Sequence, residues 1–413
     1  MSLNSQILIG ALTGVALGLV LGIDLLSGVS NTVIYLADLL GSVFINMLKM
    51  VMMPLVFTSI TVGIANLSVS NQIHKVWMST LMYSLSTMSL SVLVGITASN
   101  LFEPGKGIDI KMFHDALGNV QNPNVNFAEF VAKFVSSLFM NPIAAMSQGH
   151  VMGIIVFAIL VGVALVVGGQ RYRATLSLFQ EFFDLSLLIL DWIMRLAPFG
   201  IAALLTKLIA TQNIDVLTSL IGFVSIIMGT LVFHGLIVLP LVLYLVTQMT
   251  PWTLFRGAKE ALITALATSS SAATMPVTMR CTEQNLKVSP SVTGFVIPLG
   301  SHLNMDGTAL YEAAAALFVA NLTGIELSIL QQLTVCLTAM VAAIGAPGLP
   351  SAGMVTMIMV LQSVGLPVEA IAILLPVDRI LDTFRTALNV EGDIVSCLVV
   401  QKISKLPKQT TVK

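Results

Sequence analysis

The chain has 413 residues, 56% of them hydrophobic and only 9% charged, against roughly 25% charged in a soluble globular protein. With 19 Lys and Arg and 20 Asp and Glu it cannot cover a soluble body of this size, so lipid is expected to solvate most of its surface. A net charge of −1 lacks the electrostatic footprint of a nucleic-acid binder, and no nucleic-acid partner is expected. The three cysteines, Cys281, Cys336 and Cys397, fall in no metal-ligand spacing and read as apolar fillers.

Residues 7–26 are long enough to cross a ~30 Å hydrocarbon core. They follow no basic region and precede further apolar runs, so they are expected to stay in the membrane rather than serve as a cleaved signal. Further spans are expected at residues 32–64, 76–102, 151–167, 185–209 and 217–246, with a helix over residues 127–146 leading into the fourth. Arg171 with Arg173, and Lys402, Lys405, Lys408 and Lys413 at the end, favour cytoplasmic placement of both regions.

Beyond about residue 250 the apolar runs are interrupted by polar residues and backbone breakers. Residues 261–278 carry Thr268, Ser269, Ser270, Ser271 and Thr274 ahead of Pro276. The following stretch, residues 290–322, holds Asn304, Met305, Asp306, Gly307 and Thr308 in the middle of an apolar run. An Asp at a helix centre costs on the order of 3 kcal/mol on insertion scales, so it is expected to face a bundle interior or an ion path. Asn304 and Asp306 offer hard oxygen ligands and Gly307 lets the chain unwind, which together make a candidate alkali-cation site. A structural polar contact between packed helices is the alternative. Glu312, one turn after Thr308, is a second buried carboxyl and a candidate proton carrier.

Residues 339–353 contain Gly345, Ala346, Pro347, Gly348, Leu349, Pro350 and Gly353. Such a density of Gly and Pro ends a helix, and at membrane depth the released backbone groups must pair within protein or line a watery cavity. This stretch and residues 261–278 therefore each read as a re-entrant hairpin, with a kinked span or an aqueous loop as the alternative. Two interrupted segments, each ahead of a further helix, are the pattern of a paired-repeat transporter with its site between the tips.

In the last helix Asp378, Asp382, Arg385, Thr386, Asn389 and Asp393 recur at intervals of four, three, one, three and four, which puts them on one stripe. Apolar runs at residues 371–377 and 394–400 argue against a water-exposed face. Arg385 is a permanent cation whose planar fork matches a carboxylate, and Asp382 suits an ammonium group. Opposite charges about one 5.4 Å turn apart form a receptor for a zwitterion with an extra carboxylate, which describes aspartate or glutamate.

On these marks the chain resembles the glutamate transporter family, the dicarboxylate and amino acid:cation symporters, over essentially its whole length. The marks are Ser269-Ser270-Ser271 ahead of Met275-Pro276, the run Asn304-Met305-Asp306-Gly307-Thr308, the tip from Gly345 to Gly353, and Asp382, Arg385, Thr386, Asn389 and Asp393 in the last helix. The resemblance implies an all-α polytopic membrane protein of eight transmembrane helices and two re-entrant helical hairpins, assembled as a homotrimer. It implies a multi-pass location in the cell inner (plasma) membrane, amid membrane lipid, with both termini cytoplasmic. Residues 1–75 would form part of a scaffold, residues 106–212 its remainder with the trimerisation contacts, residues 76–105 and 213–405 a transport domain, and residues 406–413 a cytoplasmic tail. Substrate would cross by an elevator motion of the transport domain, with the second hairpin as gate.

The resemblance also implies roles. Arg385 would hold the side-chain carboxylate of an acidic amino acid, with Thr308 beside it, and Asp382 the amine. Asn389, Ser270 and Ser271 would hold the α-carboxylate, with Thr386 nearby and Gly348 at the second tip. Asp393 would be the main ligand of one sodium site, with Asn389 and carbonyls near Gly300 and Asn304. A second sodium site would use Asn304, Asp306 and residues of the third helix. An ungapped alignment places Ser84, Thr87 and Met88 there, and a one-residue slip places Tyr83, Ser86 and Thr87. No cofactor is implied beyond the coupling ion, Na+ and/or H+.

Several positions depart from the family pattern. His302 stands where sodium-coupled relatives usually carry Thr, and Ala343 and Pro347 differ from many relatives. These departures open a proton-coupled or reduced-sodium mechanism. Glu312 matches the position that carries a proton in animal members, and His302 is a second candidate because imidazole titrates near neutral pH; a neutral, space-filling imidazole is the alternative. His74, His114, His150 and His234 show no clustering and are expected to carry no chemistry. No nucleophile and base constellation or nucleotide-binding glycine loop is legible, so neither an enzyme nor an ATP-driven pump is expected. A channel would need a continuous polar pore. Within the family, a C4-dicarboxylate:cation symporter is the alternative, and it would need no amine partner at Asp382.

Overall fold

The computed structural model describes residues 3–21, 27–65, 73–107, 136, 138–148, 151–211, 215–346 and 352–404. Among these residues every regular element is a helix and none is a strand. In chain order the helices are α1 (Leu3–Leu21), α2 (Ser27–Ala65), α3 (Ile73–Phe102), α4 (Pro142–Gln148) and α5 (Val151–Gly168). A 3-10 turn, Gly169–Tyr172, leads to α6 (Arg173–Arg195) and α7 (Ala197–Thr211). Helix α8 (Asp215–Phe233) passes through a π-turn, His234–Val238, into α9 (Leu239–Thr247). Then come α10 (Pro251–Thr268), α11 (Ser271–Arg280), a π-turn at Cys281–Asn285, α12 (Pro290–Leu303) and α13 (Asp306–Leu322). Last are α14 (Ile329–Gly345), α15 (Ala352–Ser363), a 3-10 turn at Val368–Ala370, and α16 (Ile371–Ile403).

Four stretches among the described residues are helical, long and apolar enough to cross a membrane: Thr32–Ala65, Val76–Phe102, Gly153–Arg195 and Leu220–Thr247. Helix α16 has 33 residues, about 50 Å at 1.5 Å per residue, but its charged stripe keeps it off a hydropathy count. Shorter apolar helices among the described residues include Ala197–Thr211 and Ile329–Gly345.

The expected span at residues 185–209 is not one helix. Helix α6 ends at Arg195, Leu196 turns, and α7 starts at Ala197-Pro198. Pro198 has no N–H to continue the ladder, and the amides of Phe199 and Gly200 close instead on the Leu196 carbonyl. The helix expected over residues 127–146 lies mostly outside the described residues. Where description is continuous again, Phe139 and Met140 are not helical, and Asn141 Oδ1 caps the separate α4 by accepting from Ile143 N at 2.9 Å and Ala144 N at 3.2 Å. Residues 22–26 of the first expected span also lie outside the described residues.

Helix α1 lies along α7 through Gly10, Gly14 and Gly18, where a Cβ would strike Pro198, Ala202 and Ile209 respectively. Small residues four apart give the close backbone approach that drives association where lipid is the solvent. Helix α2 packs on α5, α6 and α7. Helices α3 and α8 to α16 pack among themselves around α13, whose run Ala313-Ala314-Ala315-Ala316 is fully buried. At Gly95 of α3 a Cβ would meet the Leu310 carbonyl at 2.9 Å, so the missing side chain lets α3 settle onto α13. Between the two groups, α14 and α15 touch α2, and α16 touches α7.

The first interrupted segment breaks at its serine cluster. Between α10 and α11, Ser269 adopts a left-handed conformation with φ 51°, and Ser270 caps α11 by accepting from Ala273 N at 3.2 Å. The helices flanking the second break, α14 and α15, pack against each other, while residues 347–351 between them lie outside the described residues.

Candidate functional site around a broken helix

The run expected to be helical over residues 290–322 breaks at Asn304 and Met305, between α12 and α13. Gly307 is itself helical, and its role differs from the expected unwinding. A Cβ on it would lie 2.7 Å from the Arg385 carbonyl oxygen and 2.9 Å from Arg385 Cα, so glycine is what lets α13 press against α16. Asn389 splints the break from α16: its Oδ1 accepts from Gly307 N at 2.8 Å, and its Nδ2 lies 3.2 Å from both Thr308 Oγ1 and Met305 Sδ.

The expected polar stripe of α16 is buried. Asp378, Asp382, Arg385, Thr386, Asn389 and Asp393 all face the interior, whereas Ile380 is 53% exposed. Arg385 is 1% exposed, and its Nη2 donates to Asp378 Oδ1 at 2.6 Å and to Asp382 Oδ1 at 3.0 Å. The guanidinium also sits 4.0 Å from the centroid of the Tyr311 ring, which suits a cation. Asp382 Oδ2 lies 3.4 Å from Arg379 Nη1, so this carboxylate stands between two arginines. Arg385 Nε and Nη1 are buried with no hydrogen-bond partner among the described residues. A Cβ on Gly353 would stand 3.4 Å from Nη1 and 3.5 Å from Thr308 Cγ2, so this donor faces Thr308 and the start of α15. A buried N–H without a partner is costly, and a carboxylate is the acceptor that satisfies it best.

Ser270 and Ser271 are buried at the first tip, and α10 and α11 both pack on α16. Gly348, expected at the second tip, lies outside the described residues.

One turn beyond Asn389 are the groups expected to hold an ion. Thr87 Oγ1 is 3.1 Å from Asp306 Oδ1 and 3.3 Å from Asn304 Oδ1. Asp393 Oδ1 is buried with no hydrogen-bond partner among the described residues. A Cβ on Gly300 would strike this oxygen, so glycine admits the carboxylate against α12. Carboxylate, amide and hydroxyl oxygens here match the hard donor set of an alkali cation. Among the described residues no cluster of three or more His, Cys, Asp or Glu offers a transition-metal site.

Of the α3 candidates, Thr87 is common to both alignments and reaches the broken helix. Ser84 and Tyr83 are buried nearby with unpartnered hydroxyls, and Met88 is buried, whereas Ser86 is exposed and donates to the Met82 carbonyl. Ser91 was missed: its hydroxyl donates to the Asp306 carbonyl at 2.6 Å. Thr80, Ser84, Thr87 and Ser91 recur at four, three and four residues and are all buried, the same rhythm that marks α16.

The two proton-coupling candidates differ. Glu312 is fully buried; its Oε1 accepts from Thr356 Oγ1 at 2.5 Å, and its Oε2 has no partner among the described residues. His302 is half-buried, and its Nδ1 turns back to Ser301 Oγ at 3.1 Å and the Pro298 carbonyl at 3.2 Å. Among the described residues it pairs with none of Asp306, Glu312 or Asp393. The expectation for His234 needs correction: this fully buried ring places Nε2 3.2 Å from Asp306 Oδ2. A lone His in an apolar run has no periodic partner to betray it.

Comparison with known proteins identifies the family. The family model described as "Sodium:dicarboxylate symporter family" matches residues 3–403. The chain is 33% identical to excitatory amino acid transporter 3 of Mus musculus, over 97% of this chain and 86% of that protein. It is 34% identical to excitatory amino acid transporter 2 of Homo sapiens, over 95% and 78%, and 34% identical to excitatory amino acid transporter 1 of Ambystoma tigrinum, over 88% and 77%. With a model match across nearly the whole chain and relatives above 30% identity, the chain belongs to the sodium:dicarboxylate symporter family, a family of transporters and not of enzymes.

Proposed function

We propose that this protein is a secondary active symporter that takes up acidic amino acids, aspartate or glutamate, across the plasma membrane, driven by Na+, H+ or both. The observation that carries this reading is the buried Arg385 guanidinium, with Nε and Nη1 unpartnered and Nη1 facing Thr308. The substrate's side-chain carboxylate takes these donors. Its amine competes for Asp382, now held by Arg379 and Arg385. Ser270, Ser271, Thr386, Asn389 and Gly348 serve the α-carboxylate. The names of the relatives, excitatory amino acid transporters, support this substrate class.

Coupling follows from electrostatics. Asp306 and Asp393 are buried carboxylates, and a cation held by them, Asn304, Thr87 and carbonyls near Gly300 relieves charge that is costly in an apolar body. Asn389 contacts Thr308 and the helix break, so it links the substrate side to the ion side. Glu312 carries a proton where H+ takes part, and His302 is the second candidate for that step.

Movement is of the elevator kind, with residues 76–105 and 213–405 travelling against residues 1–75 and 106–212, within a homotrimer whose termini are cytoplasmic. The separate packing of α1, α2 and α5 to α7, and of α3 with α8 to α16, supports that division.

A C4-dicarboxylate:cation symporter is the second reading, favoured by the capture of Asp382 between two arginines, which leaves less of it for an amine. Uptake of labelled aspartate, glutamate and succinate into proteoliposomes, under separate Na+ and H+ gradients, decides between them. Gradient-driven accumulation of an amino acid over succinate is expected; preference for succinate selects the second reading. Equal uptake without any gradient would sink coupled transport.

A further inference from the structure

We propose that His234 is a positioning residue for the cation site, its imidazole N–H holding Asp306 Oδ2 so that Oδ1 stays turned to Thr87 and Asn304. The inference rests on the reading of Asp306 as a cation ligand.

His234 opens the π-turn His234–Val238, which interrupts an otherwise continuous helical run from Asp215 to Thr247. An extra residue in a helical turn re-aims the side chains around it, and such bulges recur at functional sites. The turn is pressed onto α16: a Cβ on Gly235 would lie 3.1 Å from Glu391 Oε2 and 3.2 Å from Leu388 Cδ1. That approach delivers the His234 ring to the Asp306 carboxylate at 3.2 Å, with both side chains fully buried. An ionised carboxylate only accepts, so Nε2 carries the proton of this contact. Nδ1 is buried with no hydrogen-bond partner among the described residues.

The two carboxylate oxygens of Asp306 thus have separate partners: Oδ1 meets Thr87 and Oδ2 meets His234, while Ser91 secures the residue's backbone carbonyl. Without the imidazole, one oxygen of the carboxylate loses its partner and nothing on that side keeps the group turned with its other oxygen toward Thr87. Loss of a partner that orients a ligating side chain typically costs about 10–100-fold in ion affinity or activity.

The test uses the full chain in proteoliposomes. The Na+ concentration for half-maximal aspartate uptake and the aspartate KM at saturating Na+ are measured for the wild type, His234→Leu, His234→Met and His234→Gln. Leu and Met lack a donor; Gln offers an amide N–H at about the reach of Nε2. The two donor-less variants should raise the half-activating Na+ about tenfold, with aspartate KM moved less than about twofold and Gln restoring most of the loss. The two donor-less variants back each other up if one does not fold. Unchanged Na+ activation in a folded donor-less variant overturns the proposal, as do parallel shifts of both constants in all three variants. Asp306→Asn separates this from the underlying reading. If it raises the Na+ requirement and the His234 variants do not, only the role of His234 fails. If neither matters, or wild-type uptake ignores Na+, the ion site itself fails.

Discussion

Thr356 gives its hydroxyl to Glu312 Oε1 at 2.5 Å, joining α15 to α13 through two fully buried side chains. The contact ties α15 to the broken helix, so a change of charge on Glu312 is felt where the gate is expected to move. If Glu312 carries the coupled proton, Glu312→Gln keeps the shape and removes the titration. Aspartate uptake measured from acid to alkaline external pH should then lose its pH dependence. A profile like that of the wild type would move the proton step to His302 or leave sodium alone.

Arg385 is the second test. Removing it in Arg385→Ala strips Asp378 and Asp382 of their shared donor and a bound substrate carboxylate of its partner. Breaking a buried pair in this way costs about 3–5 kcal/mol, so uptake of acidic substrates should fall more than about a hundredfold. Arg385→Lys should not rescue it, because one ammonium cannot reproduce a planar fork that serves several acceptors. Competition binding with labelled aspartate reads both variants, and wild-type affinity in Arg385→Ala would remove the proposed site.

Gly307 tests the close contact of α13 and α16. The Cβ of Gly307→Ala would press on the Arg385 backbone, and overpacking of this kind costs about 1–3 kcal/mol. A lower thermal midpoint in detergent and weaker aspartate binding are expected together. Gly294→Ala is the control, since a Cβ there meets nothing within 4 Å.

The glycine stripe of α1 makes a contrasting prediction. A side chain in Gly14→Val would collide with the Ala202 backbone and with Leu205. The thermal midpoint should fall, while aspartate KM in the protein that remains folded should match the wild type, because none of the proposed substrate ligands lies on α1 or α7. A shift in KM as large as that of Gly307→Ala would mean that the two groups of helices are coupled more tightly than their packing indicates.

Much of the site was legible in the chain. The stripe on α16 could be found because helical periodicity repeats within a few residues, and the helix breaks because Gly, Pro and Ser cluster at them. The buried stripe on α3 had the same rhythm, yet Ser91 was passed over because hydroxyls alone stand out less than charges in an apolar run. The turn at Leu196 was hidden by apolar residues that continue through Pro198. His234 was not legible at all, since its partner Asp306 is 72 residues further along.

The sequence by itself determined that lipid is the solvent, that the chain is helical, that its helices are interrupted at the serine cluster near residue 270, and that the charged stripe of the last helix is withdrawn from water. Composition and spacing encode all of these locally. Only the tertiary structure decided which of those groups meet: Arg385 with both Asp378 and Asp382, Asn389 with the backbone of Gly307, and His234 with Asp306. Such meetings depend on the rotation and closeness of helices distant in sequence. Here glycines at 235, 300 and 307 set that closeness by the side chains they lack.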